Sequence, residues 1–81
     1  MDDVGSRLVG CFQAVFPNLD EATIRKAQQD SITNWDSIAT LTLIQVAEDE
    51  FRVQFDLERL PEFQSFEVIQ SYIENQLNGT S

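Results

Sequence analysis

The sequence predicts an all-α fold: a small three-to-four-helix bundle with a long loop between the first two main helices. Three observations carry this. Apolar residues recur at helical spacing in three stretches: Val4 to Val15, Ile38 to Phe51, and Phe66 to Leu77. Residues that cap or stop helices bound those stretches. Eighty-one residues, 42% of them hydrophobic, suffice for one core and make one domain over residues 1–81.

The first helix is expected from about Asp3 to Phe16. Val4, Leu8, Cys11, Phe12 and Val15 form its apolar stripe, Asp2 or Asp3 can cap it, and Pro17 ends it. Cys11 lies on that stripe and reads as a buried structural thiol, since no histidine exists to activate it. From Asn18 to Trp35 apolar residues are sparse. Asp20 is placed to cap a short helical turn from Glu21 to about Gln28, and Leu19, Ile24, Ile32 and Trp35 are the expected pins of this loop to the core. Trp35 has a second reading, as the lining of a ligand path.

The second main helix is expected from Ser37 to Phe51. Ile38, Leu41, Ile44, Val46, Ala47 and Phe51 give it a broad apolar face, widened by Leu43. Glu48, Asp49 and Glu50 crowd negative charge at its C-terminal end, where the helix dipole disfavours it; this is either a functional surface or a solvated face. Val53, Phe55, Leu57, Leu60 and Phe63 anchor the next connection, and Pro61 limits any helix there to a turn or so. Ser65 then reads as an N-cap. Phe66, Ile69, Ile73 and Leu77, flanked by Val68 and Tyr72, make the last amphipathic helix, and residues 78–81 should fray.

Composition narrows the chemistry. Fourteen acidic residues against five basic ones give a formal charge of −9. Nucleic acid and anionic membranes are poor partners for such a chain, and basic protein surfaces are good ones. No apolar run reaches membrane-spanning length, and Met1-Asp2-Asp3 is acidic where a signal peptide would be basic, so a cytoplasmic protein without a membrane span is expected. One cysteine and no histidine exclude cysteine–histidine metal sites and a Ser-His-Asp triad. Gly-rich phosphate loops are absent, and an EF-hand fails because Trp35 stands at its glycine position counting from Asp30. Metal ligation and enzyme activity are therefore not expected.

One stretch remains: Asn34-Trp35-Asp36-Ser37-Ile38. Asp36 suits an N-cap, which puts the Ser37 hydroxyl in the first turn and outside the hydrogen-bond ladder. A phosphate ester there would lie at the positive end of the helix dipole. Asp-Ser at a helix start is also a common cap with no further role.

Asp36-Ser37-Ile38 resembles the Asp-Ser-Leu attachment motif of acyl carrier proteins. The resemblance extends along the chain: a first amphipathic helix, a long loop, the acidic Glu48-Asp49-Glu50-Phe51, then Val53-x-Phe55, and Tyr72-Ile73 in the last helix. It implies that Ser37 carries 4′-phosphopantetheine, attached covalently from coenzyme A by a phosphopantetheinyl transferase that recognises Asp36. Acyl or aminoacyl groups would ride on the arm as thioesters, to be presented to loading and transferring enzymes of fatty acid, polyketide or related biosynthesis. Those enzymes would bring basic docking surfaces to Ile38, Glu48, Asp49 and Glu50. Ile38, Leu41, Ile44, Phe51 and Phe55 would line an acyl chain, and a monomer is expected.

The chain also departs from the family. Ile38 replaces leucine, Ala39 and Thr42 stand where acidic residues are usual, Arg52 stands where glycine is common, and Trp35 precedes the motif. These differences imply a specialised carrier. The competing reading is an unmodified acidic helical adaptor that binds a basic protein through Glu48, Asp49 and Glu50.

Overall fold

Three aspartate or serine caps set where helices begin. The computed structural model describes residues 3–32 and 35–77. Among them the elements are α1 (Asp3–Val15), α2 (Glu21–Arg25), α3 (Ser37–Phe51), a 3-10 helix (Leu57–Glu62) and α4 (Phe66–Leu77). The Asp20 carboxylate accepts from Thr23 N at 2.9 Å and starts α2; the Asp36 carboxylate accepts from Ala39 N at 2.9 Å and starts α3. The Ser65 hydroxyl accepts from Val68 N at 3.2 Å and starts α4. Each takes up a first-turn N–H that would otherwise lack a partner. Asp2, Asn34 and the residues 78–81 expected to fray lie outside the described residues, as does the Asp3 side chain.

The chain forms a small all-α bundle in which α1 is the shared partner. It packs against α2, α3 and α4, and α2 also meets α4. The radius of gyration is 11.7 Å, the value of about 12 Å expected for a compact chain of this length. No helix among the described residues is long and apolar enough to cross a membrane. Leu8, Cys11 and Phe12 of α1 are buried together with Leu43, Ile44 and Ala47 of α3 and Phe66, Ile69 and Ile73 of α4.

The pins expected in the long loop hold. Ile24 and Trp35 are buried, and Leu19 and Ile32 pack against the core from its edge. The helical turn is shorter than the expected Glu21–Gln28. It stops at Arg25 because the next residues serve another element: Ala27 O accepts from Phe66 N at 3.0 Å, and Gln28 forms an isolated antiparallel bridge with Ser65. A continuing helix would have kept that carbonyl for itself.

Two helices sit differently from their expected faces. In α3 the buried residues are Thr40, Leu43, Ile44, Ala47 and Phe51, a stripe at i, i+3, i+4, i+7 and i+11. Ile38, expected on the apolar face, is 72% exposed, and Leu41 is only half-buried. In α4 the expected stripe fades at its end, where Leu77 is exposed. Pro61 sits inside the 3-10 helix, whose i→i+3 bonding spans only short segments.

Candidate functional site

The start of α3 is fixed from beneath by Trp35. Its indole is buried and meets Phe12 edge-on, with ring centroids 5.4 Å apart; Phe16 lies 6.0 Å away. Trp35 therefore anchors the loop to α1 and does not line an open path. Its Nε1–H donates to Thr40 Oγ1 at 2.7 Å, and that hydroxyl donates to Asp36 O at 3.1 Å. Thr40 N also donates to Asp36 O, at 3.0 Å. A buried threonine thus satisfies the indole and the carbonyl of the capping residue at once. The same bonds set the rotation of α3: with Thr40 turned inward, Ile38 must face out.

Ser37 is the first residue of α3, exposed, and its hydroxyl bonds to no described residue. Asp36 and Ile38 beside it are exposed as well. The cap occupies the N–H groups of Ala39 and Thr40, leaving those of Ser37 and Ile38 free of described protein partners. Free N–H groups and the helix dipole together favour an anion at this end. The geometry offers a reachable hydroxyl and a setting that suits a negatively charged ester.

A hollow of about 210 Å³ opens beside Ser37, lined by Gln29, Ser37, Thr40, Leu60, Pro61 and Gln64. Gln29 N donates to Gln64 O at 2.7 Å, which joins the loop wall to the wall after the 3-10 helix. Gln29 and Gln64 carry no signal in the sequence, because they meet only through the bridge near Ser65.

The far end of α3 is held by charge. Arg7 of α1 donates through Nε to Glu50 Oε2 at 2.8 Å and through Nη2 to Glu50 O, and its guanidinium lies 4.5 Å from the Phe51 ring centroid. Glu48 Oε2 accepts from Phe55 N at 2.9 Å. Two of the three carboxylates expected to form a partner surface therefore work within the molecule, while Asp49 is exposed with no described partner. Arg52 caps α3 in the left-handed region, at φ 59° and ψ 43°, where glycine would be unstrained. Beyond it Phe55 stacks on Tyr72 at 4.8 Å and meets Phe63 edge-on at 5.3 Å.

Of the residues expected to line an acyl chain, Ile44, Phe51 and Phe55 are buried in the core and Leu41 is half-buried. Ile38 is a correction: it lies on the surface and lines no interior, because the Thr40 bonds turn it outward. Cys11 is buried, and burial, with Glu50 nearby, pushes its thiol up to about 11. Hydrogen bonds from Thr23 hold the Asp20 carboxyl below its usual range. Among the described residues no three metal-ligating side chains cluster. No protein-family model matches the chain, and no curated protein does.

Proposed function

We propose that the chain is an acyl carrier protein whose Ser37 bears 4′-phosphopantetheine. The observation that supports this reading is the capped start of α3. Asp36 holds the first turn, Trp35 and Thr40 hold Asp36 from below, and the Ser37 hydroxyl is left exposed with no partner among the described residues. The residues fit the group: a hydroxyl for the phosphodiester, free N–H groups for its charge, and a hollow alongside for the segment of the arm beyond the phosphate. When bound, the arm would supply the thiol that holds an acyl or aminoacyl group as a thioester.

The chain's own part is to present. On this reading another protein catalyses the loading reaction, since the chain has no histidine to activate Ser37. Ile38, exposed next to Ser37, offers that protein an apolar contact, and the excess acidity, with Asp49 exposed and without a described partner, favours basic enzyme surfaces. Sheltering cargo against Leu41, Ile44, Phe51 and Phe55 would require the packed core to part.

The test is an intact mass after incubation with coenzyme A, magnesium and a broad-specificity phosphopantetheinyl transferase, beside Ser37→Ala. The wild type should gain one phosphopantetheine and the variant none, with the same far-ultraviolet circular dichroism in both. A folded wild type that gains nothing from a transferase active on a control carrier refutes the reading.

A further inference from the structure

We propose that Trp35 and Thr40 are a positioning pair for the modification of Ser37: their buried bond holds the start of α3 in the one rotation that presents the serine correctly to another enzyme. This rests on the carrier reading. The Asp36 cap does not select that rotation. Its carboxylate bonds the backbone N–H of Ala39, and a backbone cap is the same whichever face of the helix is buried. The apolar pattern does not select it either. The buried stripe of α3 begins at the polar Thr40, while Ile38 is left exposed. Ile38, Leu41 and Ile44, at i, i+3 and i+6, offer another apolar stripe to the same half of the helix. Turning onto it would bury Ile38, and Ser37, one position earlier, would change its bearing by the same angle.

The indole bond discriminates between the two. Trp35 Nε1–H donates to Thr40 Oγ1 at 2.7 Å, both residues are buried, and the hydroxyl donates in turn to Asp36 O at 3.1 Å. The bonds thus run from the indole to the carbonyl of the residue just before Ser37. The indole is itself fixed on α1, through Phe12 at 5.4 Å and Phe16 at 6.0 Å between ring centroids. Turning α3 would pull Thr40 away and leave a buried N–H without an acceptor. That disfavours the turned state by a factor of roughly 5 to 160.

A transferase that aligns a cofactor phosphate with one hydroxyl binds the held rotation alone. Without the bond, fewer molecules are competent at any moment. KM then rises by the lost fraction, while kcat, set in the bound complex, does not change.

The experiment follows loading by mass with coenzyme A, magnesium and a broad-specificity phosphopantetheinyl transferase. Thr40→Val should raise KM about fivefold or more at constant kcat, and Thr40→Ser, which keeps the hydroxyl, should load like the wild type. Trp35→Phe removes the donor without touching the hollow beside Ser37 and should raise KM as Thr40→Val does. The Trp35→Phe/Thr40→Val double variant orphans no buried group, so its stability should recover in part while its KM stays raised. Ile73→Val, a core truncation in α4, should lower stability and leave KM alone. In the double variant a soluble paramagnetic chelate should relax the Ile38 methyl signals less than in the wild type. A folded double variant with wild-type KM, or with Ile38 as exposed as before, overturns the positioning role and leaves the carrier reading intact. No mass gain by the wild type, with a transferase active on a control carrier, overturns both.

Discussion

Thr40→Val removes one oxygen and should unsettle the whole entry to α3. The side chains have nearly the same shape, so no cavity opens. The Trp35 Nε1–H, buried and bonded at 2.7 Å to the lost hydroxyl, is left without an acceptor. An orphaned buried donor costs about 1–3 kcal/mol. Asp36 O loses one donor but keeps Thr40 N at 3.0 Å, so that loss is small. The expected change is a destabilisation of about 2 kcal/mol, or roughly 8–16 °C in melting temperature for a domain of this size. Urea denaturation followed by circular dichroism and by the fluorescence of Trp35, the chain's single tryptophan, reads it directly. Trp35→Phe in the same background removes the orphan. The double variant should therefore be more stable than the sum of the single changes predicts, by about 1–2 kcal/mol. A Thr40→Val loss under about 0.5 kcal/mol, or additive variants, would show that the indole bond does not organise this end.

The rest of the molecule yields further expectations. Gly10 lies mid-helix in α1, exposed, with nothing within 4 Å of the position a Cβ would take; Gly10→Ala should stabilise by about 0.5–1 kcal/mol, and a lower melting temperature would contradict this. The Cys11 thiol, raised from 9.0 to about 11, should react with iodoacetamide at neutral pH at least about 100-fold more slowly in the folded than in the unfolded protein. The stability it contributes is full below pH 9, where the unfolded thiol is still neutral, and is lost as pH rises through about 11, so Cys11→Val should flatten the alkaline decline in urea titrations at stepped pH. Arg7→Ala should cost about 1–2 kcal/mol through the Glu50 contacts and the Phe51 ring. The gap from wild type should narrow at high salt without closing, as read by thermal melts.

Local chemistry is legible in the sequence and long-range geometry is not. Asp20, Asp36 and Ser65 announce their helices because a cap acts within three residues of itself. Trp35 is legible as a pin because so large an apolar surface rarely stays in water. The exposure of Ser37 follows from the cap. The rotation of α3 does not, because apolar residues lie nearly all round that helix and only the Trp35–Thr40 bond selects among faces. Nothing in the pattern announces Arg7 as the partner of Glu50, 43 positions away, or joins Gln29 to Gln64. The early end of α2 is equally hidden, since its cause is the amide of Phe66. Arg52 is by residue type a poor left-handed cap, yet it takes that conformation. Neighbouring constraints, among them the Glu48–Phe55 bond across the turn, outweigh a cost of roughly 1–2 kcal/mol.

The two ends of α3 are held by different physics, and the difference bears on function. The Ser37 end rests on the exposed Asp36 carboxylate cap and, beneath it, on uncharged, buried contacts: an indole, a threonine hydroxyl and a backbone carbonyl, with Phe12 and Phe16 packed behind. Salt screens such contacts very little. The Phe51 end rests on Arg7 and Glu50, both nearly half exposed, and on a strained Arg52. A basic partner surface would compete there for Glu50 and lower the hold of α1 on that end of α3. It would leave the buried bonds beneath Ser37 in place, because no charged side chain takes part in the contacts among Trp35, Thr40 and the Asp36 carbonyl. On the carrier reading proposed above, an attachment point that presents the same hydroxyl to several enzymes would be well served by this separation. The end that yields to charge is the end bordering Phe51 and Phe55, where a cargo would have to enter the core.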